Sequence, residues 1–215
     1  MSTPSPSHDG QAEPSPDAAA GLDDADELVA DGVTVTPGTF RLVDFDAATI
    51  ARLTRELARA VGLADDIAIR VTVDETTPLG NAEVVGIEPL VLELESGALE
   101  NPLAPRQLSV ERSQDMIGRM LMRVRDRLDP TFGDPPSDLD LDYPTTVAWD
   151  IYAIGRLGRL GLPTQRERRR YHFRLRHGFS DKADQIFDQL WQADGLTWAD
   201  LERLSAEALT PATIV

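Results

Sequence analysis

Apolar and polar residues alternate along the first half of the chain with the period of β-strands. Every second residue from Ile67 to Val73 is a branched aliphatic, which is typical of a strand with one buried face. The alternation returns from Leu90 to Leu94, and turn residues 77–80 precede a Val84-Val85 pair that can add a short edge strand. The pattern predicts a small sheet, mixed or antiparallel.

A helix is predicted before these strands. Asp46 is a suitable N-cap, and Gly62 can end the helix in a left-handed conformation. The aliphatic residues between them follow helical spacing, at Ile50, Leu53, Leu57 and Val61. The preceding segment 33–43, VTVTPGTFRLV, predicts a marginal hairpin or an irregular extended segment around Pro37-Gly38.

The chain from residue 108 to residue 210 has the period of helices. Capping residues precede apolar stripes at Ser109, Thr164, Ser180 and Thr197. Two of them open capping boxes, Thr164–Glu167 and Thr197–Asp200. Pro144 suits the first turn of a further helix, near whose N-terminus the negative charge of Asp142 is favoured. We therefore expect about five helices and an α+β fold, in which the sheet portion 32–100 packs against the helical portion 108–210 within one domain, 32–215.

Residues 1–31 differ from the rest in composition, because they are rich in Pro, Ser, Ala and Asp and poor in large apolar side chains. Such a segment cannot bury enough surface to offset the entropy of ordering it. It contains eight carboxylates and no Lys or Arg, and it supplies half of the net charge of −16. The sequence predicts a disordered acidic tail.

Composition also limits the chemistry. The chain has no cysteine, which excludes disulfides, thiolate metal sites and a cysteine nucleophile. No leader or membrane-spanning segment is predicted, so we expect a cytoplasmic protein. Lys182 is the only lysine, and this preference for arginine is typical of a high-GC bacterial genome such as that of an actinobacterium.

Positive charge is concentrated in one segment, Arg156–Arg176, which holds eight arginines against the single carboxylate of Glu167. Guanidinium groups hold phosphates and carboxylates, and aromatic rings between them can stack on a ligand. The candidate binding residues are Arg166, Arg168, Arg169, Arg170, Tyr171, His172, Arg174, Arg176 and His177.

A purely structural interpretation of the same helix is favoured over a binding role. In that interpretation Tyr171, Leu175 and Phe173 face the core, and the arginines are solvated or paired with the many carboxylates of this chain.

Other site chemistries find little support. His172 and His177 are five residues apart, which places their rings on different faces of a helix, so no metal site is expected. The run Asp138–Asp142 begins like a calcium loop, but Tyr143 and Trp149 replace the required Gly and Glu. Phosphate-binding glycine motifs and a G-x-S-x-G elbow are absent from the sequence. We assign no catalytic residue and no cofactor.

One stretch of about 40 residues, LVLELESGALENPLAPRQLSVERSQDMIGRMLMRVRDRLD, combines a strand, a loop and an amphipathic helix. In this order of elements it resembles the edge-strand and active-site-helix unit of zincin-like metallopeptidases. In that family the helix carries H-E-x-x-H, whereas the comparable helix here, Gln114–Met122, has no histidine. The resemblance implies a scaffold that lacks the metal, and it transfers no site residue.

Among functional roles, these observations favour a non-enzymatic binding or regulatory protein that contacts an acidic protein or an anionic ligand through the arginine-rich helix, for which the acidic tail would compete. One alternative is a hydrolase or transferase that uses His172 or His177 with nearby carboxylates. A second is the degenerate zincin-like scaffold. Nucleic acid is disfavoured as a partner because the net charge is −16.

Overall fold

A computed structural model describes residues 26–209. Five strands form one sheet: β1 (Leu28–Ala30), β2 (Val33–Thr36), β3 (Ile69–Asp74), β4 (Ala82–Ile87) and β5 (Leu90–Glu95). A separate small hairpin consists of β6 (Glu100–Asn101) and β7 (Ala104–Leu108). The α-helices of this part of the chain are α1 (Ala47–Ala60), α2 (Val110–Leu128), α3 (Tyr143–Arg159), α4 (Arg166–His177), α5 (Asp181–Gln192) and α6 (Trp198–Leu209).

The sheet is mixed, and its strand order is β1-β2-β3-β5-β4. β2, β3 and β5 are parallel, and an antiparallel strand closes each edge. Val71 lies at the centre, in register with Val35 and Leu92, and all three are fully buried. The aliphatic alternation read from the sequence is therefore the buried face of the sheet, and the predicted α+β fold with a helical C-terminal half is confirmed.

Most predicted helix starts are confirmed by side-chain caps. Asp46, Ser109, Asp142 and Ser180 each accept a hydrogen bond from a backbone N–H in the first turn of the helix that follows. The Thr197–Asp200 box also forms, with reciprocal bonds. The expected box at Thr164–Glu167 is wrong: Gln165 is the N-cap of α4 and makes no side-chain cap bond.

The first described strand lies inside the segment predicted to be a disordered tail. β1 pairs with β2, and Leu28 and Ala30 pack against the hydrophobic core. Arg55 of α1 fixes the connecting turn, since its Nε donates to the Asp31 carbonyl at 2.7 Å and its Nη2 donates to the Gly32 carbonyl at 2.9 Å. The hairpin of this region is thus β1–β2, not one around Pro37-Gly38. The remainder of the predicted tail, 1–25, lies outside the described residues.

Two hydrophobic clusters form the interior. One joins the sheet to α1 and α2, and the other lies among α3, α4, α5, α6 and Phe132. α3 belongs to both, because Ala153 and Leu157 pack in the first cluster while Trp149 and Tyr152 pack in the second. This helix therefore ties the sheet portion to the helical portion.

A buried ion pair holds α3 against α2. The two carboxylate oxygens of Asp126 each accept a bond of 2.6 Å from Arg156, and one of them also accepts from Trp149 Nε1 at 2.7 Å. The guanidinium of Arg156 lies 3.8 Å from the ring centre of Tyr152, whose hydroxyl accepts from the Leu196 N–H. Since both charges are almost completely shielded from water, their mutual pairing is required for this packing.

Close approach of α3 to α5 depends on Gly155. A Cβ at this position would overlap the backbone carbonyl of Trp191, which cannot move without displacing α5. At Gly158, one turn later, a Cβ would meet only the side chain of Thr164 at 3.4 Å, which is ordinary contact. Of the two glycines, only Gly155 is required by packing.

We expect Asp126→Asn to destabilise the fold by about 3–5 kcal/mol, because it leaves the charge of Arg156 buried without a counterion. Urea unfolding measures the change. Arg52→Ala, which breaks an exposed pair with Glu56, is the control and should change the free energy of unfolding by less than about 0.5 kcal/mol. Equal stability of the two variants would contradict the role given to the buried pair.

We expect Gly155→Ala to destabilise the protein by about 1–3 kcal/mol through overpacking, and Gly158→Ala to be neutral or slightly stabilising through helix propensity. Thermal unfolding of the two variants provides the comparison. A neutral Gly155→Ala would show that α5 can shift away from α3 at little cost.

Candidate functional site

Three arginines of α4 are bound to α5. Arg166 and Arg170 each donate to Asp188 at 2.6 Å, and Arg174 makes a bidentate pair with Asp184 at 2.7 and 2.6 Å. These positions lie on one side of α4, and the two carboxylates lie one turn apart on α5. The pairs fix the packing of the two helices, so these guanidiniums are already engaged within the chain.

A fourth arginine connects α4 to the other half of the molecule. Arg169 forms an ion pair with Asp115 of α2, and both side chains are largely buried. Of the nine candidate binding residues, four arginines therefore pair with carboxylates of the same chain. For these four, the structural interpretation of the arginine-rich helix is correct.

His177 is also structural. Its Nδ1 lies 3.2 Å from the Phe173 carbonyl and its Nε2 lies 3.0 Å from Ser205 Oγ, and its ring stacks on Phe173 at 3.9 Å. A carbonyl only accepts hydrogen bonds, so the neutral tautomer that fits carries its proton on Nδ1. Burial lowers the pKa of His177, which keeps the imidazole neutral and unavailable to a substrate.

The outer face of α4 carries apolar residues, which differs from the sequence-based expectation. Phe173 faces the core as predicted, but Tyr171 is 53% exposed and Leu175 is 49% exposed. Tyr171 packs edge-on against Phe179, itself 64% exposed, with ring centres 6.0 Å apart. α4 packs inward through Phe173 and His177, so residues half a turn away point to solvent. We call Tyr171, Leu175 and Phe179 the apolar strip.

Arg168, His172 and Arg176 recur at every fourth position of α4 beside the apolar strip, and we call them the cationic row. No member of the row has a carboxylate partner among residues 26–209. Arg168 donates to the side-chain oxygen of Gln165 at 3.1 Å, and Arg176 stacks on Tyr143 with its guanidinium 4.0 Å from the ring centre. The row is the part of the arginine-rich helix whose charge is free for a partner.

Two residues of the cationic row, Arg168 and His172, line a cleft of about 400 Å³ enclosed by β4, α2, α3 and α4. Five arginines lie in its wall: Arg112, Arg119, Arg123, Arg168 and Arg169. Five carboxylates also lie there: Glu83, Glu111, Asp115, Asp138 and Asp150. The cleft is thus highly polar, and the pairing of these charges decides what it can bind.

The deep part of the cleft is internally neutralised. Arg119 pairs with Asp150, and Arg123 donates to Asp138 at 2.6 Å. The second oxygen of Asp138 accepts from the backbone N–H of Val84 at 3.1 Å, so this carboxylate ties α2 to the edge strand β4. These groups form a polar floor, which includes Asp138, the first residue of the Asp138–Asp142 run.

The mouth of the cleft keeps unneutralised cations. Arg112 donates to the Gly97 carbonyl, and Arg168 donates to Gln165, but neither has a carboxylate partner among residues 26–209. The Gln165 amide in turn lies 3.4 Å from a carboxylate oxygen of Glu111, so a chain of side chains spans the mouth from α4 to α2. The guanidiniums of Arg112 and Arg168 thus hold only neutral acceptors, and they share the cleft with the carboxylates of Glu83 and Glu111, which form no ion pair within the described residues.

The pKa of His172 is lowered by burial and by the positive charges around its ring. Partial burial and the guanidiniums of Arg169, Arg168 and Arg176 lower the pKa of His172 below its ordinary value of 6.5. The imidazole is therefore neutral at pH 7 in a region of positive potential. A bound anion would offset that potential and raise the pKa of His172 again. Titration of His172 therefore detects an anion bound at the mouth of the cleft.

The strand, loop and helix that resemble the zincin unit correspond to β5, the β6–β7 hairpin and α2. The cleft face of α2 presents Asp115, Met116 and Arg119. Asp115 pairs with Arg169, and Arg119 pairs with Asp150. Within the described part of the chain, no group of three or more His, Cys, Asp or Glu side chains is placed to hold a metal ion. The residues present do not fit a zinc site.

Several residues of the site escaped the sequence analysis. Arg112, Arg119 and Arg123 lie on α2, outside the arginine-rich segment, yet they form the wall opposite α4. Their signal was the four-residue spacing of Arg119 and Arg123, which Asp115 and Asp126 flank on the same helix. This spacing marks a polar stripe along a helix that is otherwise deeply buried.

A scan of protein family models found no match, and searches of the curated proteins and of the solved structures found no similar chain. Among residues 26–209, no helix is both long and apolar enough to cross a membrane.

We expect His177 to make the stability of the fold fall in acid. Its folded pKa is lowered, so as the pH falls below about 6.5 the unfolded chain takes up the proton first, and the free energy of unfolding drops by at most about 1.4 kcal/mol per pH unit. Urea unfolding of the wild type and His177→Gln between pH 7.5 and 5 measures this. His172→Gln is the control, and its free energy of unfolding should still fall in acid nearly as much as that of the wild type. If wild type and His177→Gln show the same pH profile, His177 is not the cause of the fall.

Proposed function

We propose that the protein is a non-enzymatic binding protein that holds the anionic group of a ligand at the cationic row, at the mouth of the cleft. The observation that carries this proposal is the difference between the arginines of α4. Arg166, Arg169, Arg170 and Arg174 pair with carboxylates of the chain, while Arg168 and Arg176 have no carboxylate partner among residues 26–209. Arg168 and Arg176 flank His172, and Arg168 and His172 line a cleft large enough for a small molecule.

The chemical class of the ligand follows from the groups that would contact it. Guanidinium groups bind carboxylate and phosphate oxygens through charge-assisted hydrogen bonds. Arg168 and Arg112 come from different helices, so a ligand with two anionic groups could contact both walls of the mouth. We therefore expect a phosphorylated or polycarboxylate molecule to bind better than a monoanion.

An acidic protein is a second candidate partner, because its carboxylates could bind the same arginines. The apolar strip favours this candidate. Exposed aromatic and aliphatic side chains beside unpaired arginines are typical of protein contact surfaces. A protein partner would cover Tyr171, Leu175 and Phe179 together with the cationic row, whereas a small anion would contact the arginines at the mouth of the cleft and leave the apolar strip uncovered. Leu175→Ala separates the two candidates, because it should weaken a protein partner and leave a small anion unaffected.

A histidine-based enzyme has less support. His177 is buried and bonded to Phe173 and Ser205, and the groups that act electrostatically on His172 are guanidiniums. A general base is normally oriented by a carboxylate or a backbone carbonyl, and His172 has neither among its hydrogen-bond partners in the described part of the chain.

Inorganic pyrophosphate is a suitable probe. Titration at low ionic strength, followed by the ring proton signals of His172, should show saturable shifts and a raised His172 pKa. Arg168→Ala with Arg176→Ala should weaken binding at least tenfold, since each lost charge-assisted bond contributes about 1.5–3 kcal/mol. The charge-matched control is Arg41→Ala with Arg125→Ala, both exposed and distant in sequence from α4. Equal loss in both double variants, or shifts that never saturate, would overturn the proposal.

A further inference from the structure

The segment 133–141, between α2 and α3, is held to the rest of the molecule mostly by polar contacts. No residue of the segment is buried as a whole, although Leu141 packs against the hydrophobic cluster around α3. The carboxylate of Asp138 bonds to α2 and β4, and the Pro136 carbonyl accepts from Arg127 Nη2 at 3.0 Å. Asp138 is therefore the main attachment of this segment to the cleft wall.

Asp138 fills an anion-binding arrangement on α2. Arg123 and Arg127 lie one turn apart, with their guanidiniums 4.6 and 4.5 Å from the ring centre of Trp149. Both donate to the same oxygen of Asp138, at 2.6 and 2.5 Å, and the other oxygen accepts from the Val84 N–H at 3.1 Å. The side chains of Arg123 and Asp138 are only 7% and 6% exposed. Three donors thus converge on one shielded anionic group, and we call Arg123, Arg127 and the Val84 N–H the clamp.

The guanidinium groups around the clamp outnumber the carboxylates that they contact. Arg119 pairs with Asp150, and Arg123 lies 3.5 Å from the other oxygen of Asp150. Arg123 and Arg127 share Asp138, so three positive charges meet two negative charges. Burial lowers the pKa of Arg127, and the charge of Arg123 lowers it further. A dianion in place of the Asp138 carboxylate would balance these charges.

Two donors at the clamp also lack a hydrogen-bond partner. Arg123 Nε and Arg127 Nη1 are shielded from solvent, and neither bonds to another group in the part of the chain that the structure describes. Buried polar groups are normally paired, and an unpaired one is costly. Both oxygens of Asp138 are already in use. A phosphate monoester has three terminal oxygens and up to two negative charges, so it can accept from more donors than Asp138 does.

We propose that the clamp is a second anion subsite of the cleft, where the phosphate group of a ligand replaces the Asp138 carboxylate and displaces the segment 133–141. Arg123 and Asp138 both line the cleft, so a ligand in the cleft lies directly against the clamp. The subsite stands on these contacts alone, whereas its use by the ligand that binds at the mouth rests on the proposed function. Because Asp138 is tethered through a short segment, it competes at a local concentration of about millimolar.

Asp138→Ala removes the tethered competitor and leaves the clamp without an anion. Calorimetric titration with inorganic phosphate, at constant ionic strength set with chloride, should be saturable and about tenfold tighter than for the wild type. Phosphate should also raise the unfolding temperature of this variant more than that of the wild type, because a ligand that binds only the folded state stabilises it. Asp138→Asn, which keeps the size of the side chain, should show the same gain and serves if Asp138→Ala does not fold.

Two controls separate the clamp from general effects of charge. Asp140→Ala changes the same segment, at a carboxylate that accepts from Ser137 Oγ at 2.7 Å, and this variant should bind phosphate as the wild type does. Asp126→Asn also leaves a buried arginine unpaired, but outside the cleft, so phosphate should not compensate for it. No gain in either Asp138 variant, or the same gain in Asp126→Asn, overturns the proposed subsite.

Displacement of Asp138 is measured in the unmodified protein. The Val84 N–H donates to Asp138, so its hydrogen exchange should accelerate about threefold in about 100 mM phosphate, relative to chloride of equal ionic strength. The amide of Val71, at the centre of the sheet, is the internal control and should not change. Unchanged exchange at Val84 overturns the displacement.

The two subsites can fail separately. If pyrophosphate does not bind at the mouth but Asp138→Ala still gains affinity for phosphate, the proposed function is wrong and the clamp stands. If Arg168→Ala with Arg176→Ala weakens pyrophosphate binding but neither Asp138 variant gains affinity for phosphate, the clamp is wrong and the proposed function stands.

Discussion

The carboxylate of Asp126 connects the two halves of the molecule. It lies on α2, which packs under the sheet, and it binds Arg156 and Trp149 of α3, which leads into the helical half. Since burial makes an unpaired charge costly, the pair allows few arrangements of α2 against α3. α2 and α3 also bound the cleft, so its shape depends on the pairing of Asp126 with Arg156, which lies outside the cleft. α4 then docks on this frame through Arg169, which reaches Asp115 of α2.

The arginines of α4 serve different purposes because a helix presents different sides to different neighbours. Arg166, Arg170 and Arg174 face α5, where acids at Asp184 and Asp188 meet them, and Arg169 faces α2. Arg168 and Arg176 lie on the remaining side, beside the apolar strip. A strongly basic sequence segment is thus mostly internal ion pairing, and only its unpaired remainder forms the proposed binding surface. Charge density alone would have placed the site over the whole helix.

Local rules predicted most of the fold. The alternation around Val71 identified the sheet, and Asp46, Ser109, Asp142 and Ser180 located helix starts because each cap bond involves residues within one turn. The prediction failed where residues distant in sequence determine the local structure. Thr164 has the sequence of an N-cap, but its side chain lies against Gly158, and α4 begins after Gln165. β1 was missed because its order comes from β2 and from Arg55, not from its own composition.

The candidate site was predictable only in part, for the same reason. The sequence identified α4 but could not distinguish Arg168 from Arg169, which are adjacent in sequence and differ only in whether Asp115 lies within reach. Nor could it show that α2 supplies the opposite wall, since Arg112 and Arg119 are about 50 residues away. Contacts between helices determine which arginines of α4 are paired. Those contacts depend on the packing of α2 against α3, which the Asp126–Arg156 pair fixes. The proposed binding surface is therefore set by which arginines of α4 have no carboxylate partner among residues 26–209.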